Sequence, residues 1–377
     1  MKILLICEAV FPENKGGIER WFQGLGRDFH SRGHEIAYFN SSSVNETRDG
    51  IRYFASSAGK WSYKKGGVRS KAQAVRFGID VYKWLRKENF DLIYCSSVPI
   101  FSIFGVILGR KRETKVFVEW FEIWNLRYWF RYSGVFAGSV GWLVQLLALQ
   151  FGKYRVVYTE RAHRALSRMG FLNRNKAVLL PGLCPDTKPS TPSGLVTTKQ
   201  DIYFLGRFVK EKQPLLAINS IEAFLRTGWK GKFWLAGTGP LVPEIKEVIK
   251  LKKIETHVEL VENPTDDEIE SIARNSFVLL HPSRREGYGL ASVEAAYRGV
   301  PSLLIDYPDN ATIDLGISPK LVAKNDDIEE IVKILTLAWG NQQIFESETL
   351  DWAEKARQSR SSFQTCSKIL EIAQSEN

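Results

Sequence analysis

Cysteine is scarce in this chain of 377 residues, and its few cysteines are far apart. None belongs to a CxxC pair or to a Cys/His cluster, which argues against a zinc site and against a fold held by disulfides. The spacing is typical of a protein in a reducing compartment. The four are Cys7, Cys95, Cys184 and Cys366.

The N-terminus lacks the long apolar run and the small-residue cleavage site of a signal peptide. Its short apolar segment, KILLICEA, reaches Glu8 and then Pro12, and it predicts a first core strand instead. Hydrophobic residues make up 44% and charged residues 25% of the chain, as in a folded soluble protein.

Acidic residues are sparse in the first half of the chain. Residues 1–188 carry 30 Lys and Arg against 15 Asp and Glu, a net charge of +15, whereas the remainder carries −5. Such an imbalance indicates an anionic partner: a membrane surface, a nucleic acid or an anionic substrate. We expect no nucleic-acid partner, because no known nucleic-acid-binding module is recognisable.

Short apolar runs alternate with helical patterns along the whole chain, which predicts parallel βαβ units. The alternation restarts after the Pro-, Ser- and Thr-rich loop at 186–200. We therefore predict an α/β protein of two Rossmann-like, doubly wound parallel-sheet domains facing across a cleft, at 1–185 and 186–354. A C-terminal helix at about 355–377 is expected to pack back on the first domain.

The segment HPSRREGYGLASVEAAYRGVP, at 281–301, is the most informative motif. It predicts a buried strand, a glycine-rich turn and a helix, with Glu286 and Glu294 on either side of the turn. Free amides at the helix start favour a phosphate, and carboxylates accept hydrogen bonds from hydroxyls. An ordinary strand-to-helix connection with two solvated glutamates accounts for the spacing equally well.

Two glycine turns follow other predicted strands. Gly16 and Gly17 precede the first helix, and Gly237 belongs to a GTGP turn. Glycine allows a ligand to approach the backbone closely, but a flexible loop is an equal alternative for each turn alone. The dinucleotide fingerprint GxGxxG is missing after the first strand.

A basic loop follows the first strand of the second domain. It contains Gly206, Arg207 and Lys212, and the two cations are spaced to hold a diphosphate. A solvated basic loop is the alternative, and it is favoured for an isolated pair.

The order of these segments, GGxER, GRxxxxK, GTGP and the two-glutamate block, resembles the family-4 retaining glycosyltransferases of group 1, which have the GT-B fold. The resemblance covers essentially the whole chain and is most specific at His281 to Pro301. It implies a UDP- or GDP-sugar donor, no other cofactor and no bound metal. It also implies transfer with retention at the anomeric carbon.

The resemblance assigns a role to each motif residue. Lys212 and Arg207 match the diphosphate clamp, and Glu286 matches the glutamate that contacts the donor sugar. Glu294 matches the glutamate that holds the ribose. The expected catalytic residues are Glu286, Arg207, Lys212 and Glu122, and the expected donor-binding residues are Gly16, Gly17, Gly206, Arg207, Lys212, Gly237, Gly287, Tyr288, Gly289, Leu290 and Glu294.

Phe121 is the main departure from the family pattern, in which a histidine stands between Trp120 and Glu122. Phenylalanine can neither donate nor accept a proton, and losing one positioned donor typically costs ~10²–10³ in rate. Either the site works without the imidazole, or Glu119 or Glu122 compensates, or transfer is lost. Glu122 is expected to support catalysis or the acceptor, although a structural role is equally compatible. The alternative to an active enzyme is an impaired homologue that binds a nucleotide sugar or a protein partner.

The first domain also holds uncharged stretches at 92–109 and 132–152. A membrane span, buried helices and an apolar patch on the surface are all open for 132–152. Together with the basic charge, the stretch leads us to expect a cytoplasmic protein at the inner membrane face, acting on a glycolipid or lipid-linked glycan. The basic and aromatic residues concerned are Lys60, Trp61, Tyr63, Lys64, Lys65, Arg69, Lys71, Arg110, Lys111, Arg112, Lys115, Arg127, Tyr128, Trp129 and Arg131.

Overall fold

The computed structural model describes residues 1–13, 16–41, 45–59, 70–169, 176–184 and 198–375. The chain forms two compact units, Met1–Leu183 with Arg360–Asn377, and Cys184–Ser359. Each unit has a largely parallel sheet with helices, which confirms the predicted α/β class. Most of the predicted linker, and the basic residues at 60–69, lie outside the described residues.

The first unit is built on an eight-stranded sheet. Its elements are β1 Lys2–Ile6, α1 Gly17–Ser31, β2 Glu35–Asn40, β3 Glu46–Arg48, β4 Ile51–Ala55, α2 Lys71–Leu85, β5 Leu92–Ser96, α3 Phe101–Gly109, β6 Lys115–Glu119, α4 Leu126–Ser133, α5 Val135–Ala148, β7 Tyr154–Val157, α6 Glu160–Met169 and β8 Lys176–Leu179. The strand order is β3-β4-β2-β1-β5-β6-β7-β8, and only the β3–β4 pair is antiparallel among these neighbours.

The second unit is built on a six-stranded parallel sheet. Its elements are β9 Asp201–Leu205, α7 Pro214–Leu225, β10 Phe233–Gly237, α8 Val242–Lys252, β11 Val258–Glu262, α9 Asp266–Asn275, β12 Ser276–His281, β13 Arg285–Glu286, α10 Leu290–Tyr297, β14 Ser302–Ile305, β15 Asp309–Asn310, β16 Val322–Ala323, α11 Ile328–Gly340 and α12 Gln342–Arg360, with 3₁₀ turns at Lys210–Lys212, Ala311–Leu315 and Pro319–Leu321.

The strand order of this second sheet is β11-β10-β9-β12-β14-β16, that of a doubly wound nucleotide-binding sheet. Successive strands β10 and β11 are added on one side of β9, and β12, β14 and β16 on the other, so the strand order reverses between β9 and β12. In such sheets a ligand binds beyond the carboxyl ends of the strands at that reversal. The loops after β9 and β12 are therefore the first place to look for a site.

The C-terminal segment is two helices, and the prediction of one helix at about 355–377 is wrong on this point. The helix α12 ends at Arg360, and α13 runs over Ser362–Gln374. Ser361 separates them, because its hydroxyl accepts a hydrogen bond from Gln364 N at 3.3 Å and so begins a new helix. The helix α13 packs on α1, with the Arg32 guanidinium 4.0 Å above the ring of Phe363.

The two uncharged stretches of the first unit have different surroundings. Residues 92–109 form β5 and α3 with most of their side chains buried, whereas α5 exposes a row of apolar side chains. Buried-helix packing is therefore the wrong interpretation for α5. Within the described residues, no helix is long and apolar enough to cross a membrane.

Candidate functional site

The loops that follow β9 and β10 are joined to each other by backbone hydrogen bonds. Gly206 N donates to Ala236 O at 3.1 Å, and Phe208 N donates to Thr238 O at 2.8 Å. A Cβ added to Gly237 would lie 1.9 Å from Gly206 O, so only glycine fits there. The close packing of the two loops therefore explains why residue 237 is a glycine. The predicted contact of Gly237 with a donor stays a prediction.

The loop after β12 contacts the 3₁₀ turn that follows β9. Arg284 N donates to Glu211 O at 2.8 Å, and this bond joins the two segments next to Lys212 and Glu286. The Lys212 ammonium forms an ion pair with Glu286 Oε1. His281 Nε2 lies 2.8 Å from the same oxygen. The structure thus brings two of the four predicted catalytic residues into direct contact and adds a histidine to them.

The orientation of His281 is fixed from its other side. Its Nδ1 lies 3.0 Å from the hydroxyl of Ser292 in α10, and both side chains are buried. A neutral imidazole satisfies both contacts by donating from Nε2 to the carboxylate and accepting at Nδ1 from the hydroxyl. His281 therefore connects the start of α10 to Glu286.

The charge of Glu286 is set by its neighbours. Burial alone raises the pKa of Glu286, but the positive charge of Lys212 and the contacts with His281 outweigh burial and hold the pKa well below its usual value. Glu286 is therefore ionised at neutral pH. Its contacts with described residues all fall on Oε1, which leaves Oε2 to accept a hydrogen bond from a ligand hydroxyl.

The turn at 287–289 leads directly into α10. Gly289 has a φ of +92°, and a Cβ there would lie 2.0 Å from Thr312 Oγ1, so only glycine fits. Tyr288 is buried, Leu290 begins the helix and Glu294 lies half-buried on its second turn. The amides of residues 287–290 precede a helix N-terminus, where an anion is stabilised.

The two cations of the predicted diphosphate clamp have different surroundings. Lys212 is paired with Glu286, whereas Arg207 is exposed just after β9. The Arg207 guanidinium has no hydrogen bond or ion pair with a described side chain. Arg207 can therefore bind an anionic ligand directly, whereas Lys212 already has Glu286 as its partner.

The predicted residues of the N-terminal loop, Gly16 and Gly17, belong to the first unit, whereas the residues described above belong to the second unit. Gly16 is the N-cap of α1, and Gly17 is its first residue. A Cβ at Gly16 would lie 2.1 Å from Glu19 Oε2, because that carboxylate folds back over the helix start. A larger residue at position 16 would require the Glu19 side chain to move, and a contact of Gly16 and Gly17 with a diphosphate stays a prediction.

Glu122 and Phe121 follow β6 in the first unit. Glu122 is half-buried, and its Oε2 accepts a hydrogen bond from the Trp124 indole at 2.8 Å. The Phe121 ring packs on that of Tyr158 with centroids 5.5 Å apart. Glu122 thus has a structural partner, and its predicted role in catalysis stays a prediction.

Glu119, the other glutamate beside Phe121 that could compensate for the missing histidine, lies at the end of β6. Glu119 is fully buried, and its Oε2 accepts hydrogen bonds from Tyr94 at 2.5 Å, Tyr158 at 2.6 Å and Trp21 at 3.1 Å. Burial raises the pKa of Glu119 to about 7, although the three donors oppose the rise.

His281 and Glu119 share a position in the fold that marks both as candidate site residues. Each is the last residue of a buried strand, β12 or β6, at the carboxyl edge of a parallel sheet. Among the described residues, no group of three or more His, Cys, Asp or Glu side chains is arranged to hold a metal ion.

The C-terminal unit matches a known family. Residues 187–359 match the family model described as Glycosyl transferases group 1. A segment of 136 residues is 31% identical to the uncharacterized glycosyltransferase MJ1178 of Methanocaldococcus jannaschii, over 36% of this chain. The match spans 37% of that relative's length.

Solved structures resemble the chain over its whole length. The sucrose-phosphate synthase of Thermosynechococcus elongatus superposes with a TM-score of 0.81 at 15% identity, over 99% of this chain and 98% of that one. Anabaena Alr3699/HepE in complex with UDP-glucose superposes with a TM-score of 0.72 at 14% identity, over all of both chains. At these identities the likeness establishes the fold, which is GT-B as the motifs predicted.

Proposed function

We propose that the protein is a retaining glycosyltransferase, since residues 187–359, most of its second unit, match the model of the group 1 glycosyl transferases. It transfers a sugar from a nucleotide-sugar donor to a membrane-associated glycolipid or lipid-linked glycan. The observation that carries the proposal is the contact of Lys212 and His281 with Glu286, at the strand reversal where doubly wound sheets bind nucleotides.

Each group around Glu286 has a task in such a transfer. The ionised Glu286 accepts a hydrogen bond from a donor sugar hydroxyl through Oε2. The start of α10 and the free guanidinium of Arg207 bind the diphosphate, and Lys212 adds a second positive charge beside it. Positive charge at this place stabilises the leaving diphosphate, so the proposed reaction needs no metal ion. Glu294 is proposed to hold the ribose.

The donor is proposed to be a UDP- or GDP-sugar. Alr3699/HepE, which shares the fold, has been solved with UDP-glucose. A thermal-shift screen of the full chain against UDP, GDP and ADP and their sugars tests this directly. A ligand at ~100 times its dissociation constant stabilises the folded protein by ~2.7 kcal/mol. Stabilisation by ADP compounds alone would contradict the proposed donor.

Transfer is tested with the purified chain and a panel of radiolabelled nucleotide sugars. Replacing Glu286 by glutamine keeps the side-chain size but removes its charge, and we expect activity to fall by ~10²–10³. Glu255→Gln is the matched control, because Glu255 is an exposed glutamate of the same unit. Equal activity in the wild type and Glu286→Gln would refute the assignment. The anomeric configuration of the product, read by NMR, tests retention.

A homologue that binds a nucleotide sugar without transferring it is the second candidate, and Phe121 favours it. Stabilisation by a donor combined with the absence of both transfer and donor hydrolysis would establish this candidate. Restoring a histidine by Phe121→His is then expected to raise turnover. No gain from Phe121→His, in a wild type that transfers sugar, would show that the imidazole is dispensable here.

The acceptor proposal rests on the first unit, whose charge is strongly positive. A lipid-linked, phosphate-bearing acceptor suits that charge, and the corresponding location is the inner face of the cell membrane. Transfer of label into a lipid extract, compared with transfer to soluble oligosaccharides, tests it. Exclusive use of soluble acceptors would refute it.

A further inference from the structure

The helix α5 exposes an unusual amount of apolar surface. It carries five of the sixteen large apolar side chains that are exposed in the described part of the chain. Phe136 is 85% exposed, and four of the five are spaced at i, i+4, i+7 and i+11. At 3.6 residues per turn, this spacing keeps the four within an arc of about 60°. The row of four, with its neighbour Val135, consists of Val135, Phe136, Val140, Leu143 and Leu147.

The opposite face of α5 contacts α4 and the segment just before it. A Cβ at Gly138 would lie 2.5 Å from Trp129 O, and one at Gly141 would lie 2.4 Å from the Trp129 ring. Gln145 Nε2 donates to Trp124 O at 2.7 Å, and Trp124 N donates to Gln145 Oε1 at 3.1 Å. The outer row therefore contributes nothing to this packing, and its apolar character has no explanation inside the first unit.

The charged residues of α4 and α5 all have one sign. No acidic residue occurs between Glu122 and Glu160. Arg127 and Arg131 lie one turn apart on α4 and are exposed, and neither forms an ion pair with a described residue. An exposed apolar row on α5, with two unpaired cations on the helix packed against it, matches the interface of an anionic bilayer, where apolar side chains enter the headgroup/acyl boundary and headgroups attract cations.

We propose that the outer face of α5, together with Arg127 and Arg131 of α4, is a docking surface for an anionic lipid bilayer. The helix has 14 residues, so it lies in the interface with Phe136 and its neighbours among the acyl chains. This proposal deepens the proposed function by naming the surface that meets the membrane. Only its link to a membrane-bound acceptor rests on the proposed function.

The test measures binding of the full chain to vesicles by co-sedimentation, without donor or acceptor. We expect binding to vesicles of equal parts phosphatidylglycerol and phosphatidylcholine, and weak binding to phosphatidylcholine alone. Phe136→Ser with Leu143→Ser should lower the partition coefficient about a hundredfold through lost apolar burial. Arg127→Gln with Arg131→Gln should lower it about 30-fold at low salt, because each of the two cations contributes a factor of about five near an anionic surface.

Leu251→Ser is the matched control, because Leu251 of α8 in the second unit is 72% exposed. Its partition coefficient should equal that of the wild type. Thermal unfolding checks each variant, and Phe136→Ser alone serves if the double variant unfolds. The proposal would be overturned if the α5 and α4 variants both bound vesicles as strongly as the wild type. It would also be overturned if the wild type showed no preference for the anionic vesicles.

Two further outcomes would also overturn it. If sedimentation equilibrium shows a dimer that Phe136→Ser dissociates, a second copy of the chain covers the face. If the wild type does not bind vesicles at all, the surface has another partner. Transfer to a detergent-dispersed acceptor is measured separately, so a failure of docking is distinguishable from a failure of the proposed activity.

Discussion

Replacing Glu119 by glutamine should remove a distinct component from the pH dependence of the first unit's stability. Glu119 is completely buried and accepts three hydrogen bonds on one oxygen, from Tyr94, Tyr158 and Trp21. Its other oxygen has no hydrogen-bond partner in the described part of the chain. Burial outweighs the three donors and raises the pKa from its ordinary value of 4.5 to about 7.

Because the pKa of Glu119 is raised in the folded unit, the stability of that unit decreases as the pH rises. Between pH 4.5 and 7 the folded unit keeps a proton on Glu119 that the unfolded chain has released. The free energy of unfolding therefore falls as the pH rises through this window and levels off above it. A rise in pKa of this size corresponds to about 3 kcal/mol. The tyrosines do not interfere, because burial raises the pKa of Tyr94 and of Tyr158 well above 10.

Glutamine keeps an oxygen for the three donors but has no proton to lose. We expect the stability of Glu119→Gln, relative to the wild type, to increase by about 3 kcal/mol from pH 4.5 to 8. Urea unfolding at a series of pH values measures this, and hydrogen exchange in peptides of β5, β6 and β7 reports the first unit separately. Glu113→Gln is the control, because Glu113 is exposed just before β6.

Parallel stability curves for the wild type and Glu119→Gln would refute the reasoning. They would show that Glu119 is ionised in the folded unit across the whole range, with its three donors compensating fully for burial. A slope of the opposite sign would mean that the donors outweigh burial. In either case the control variant Glu113→Gln should follow the wild type at every pH.

Three further changes test contacts in the two units. His281→Ala removes the donor 2.8 Å from Glu286, and activity should fall by about 10–100-fold in transfer assays, since hydrogen bonds to charged groups contribute ~1.5–3 kcal/mol. Gly237→Ala forces a Cβ against Gly206 O, and calorimetry should show destabilisation by ~1–3 kcal/mol. Gln145→Leu removes the hydrogen bonds that tie α5 to the chain before α4, and urea unfolding should show a loss of ~1–3 kcal/mol.

The sequence predicted the strands near the sheet centres well, because each is a short apolar run between helical segments. It did not predict β3 and β4 at the sheet edge, because their residues, at 46–55, include four charged side chains and form no continuous apolar run. The helix break at Ser361 was also missed. Serine is compatible with a helix interior, and only the hydrogen bond from Gln364 N shows that it acts as a cap.

The site was predictable in its residue types but not in its contacts. Spacing placed Lys212 and Glu286 on two different loops, and their ion pair depends on the strand order that makes β9 and β12 neighbours. The loop that leaves β12 brings Glu286 back to His281, five positions earlier in sequence. A histidine at the end of a buried strand gives no periodic signal, so geometry alone distinguishes it from a core residue.

The pairing of Lys212 with Glu286 changes how variants of the clamp must be interpreted. Removing Lys212 leaves the charge of the buried Glu286 without its ion-pair partner, which is destabilising. Loss of activity in Lys212→Ala therefore combines a lost phosphate contact with a disturbed Glu286. Arg207 is exposed and has no partner among the described side chains, so Arg207→Ala reports the phosphate contact without that second effect. Comparison of the two variants separates donor binding by the clamp from support of the glutamate.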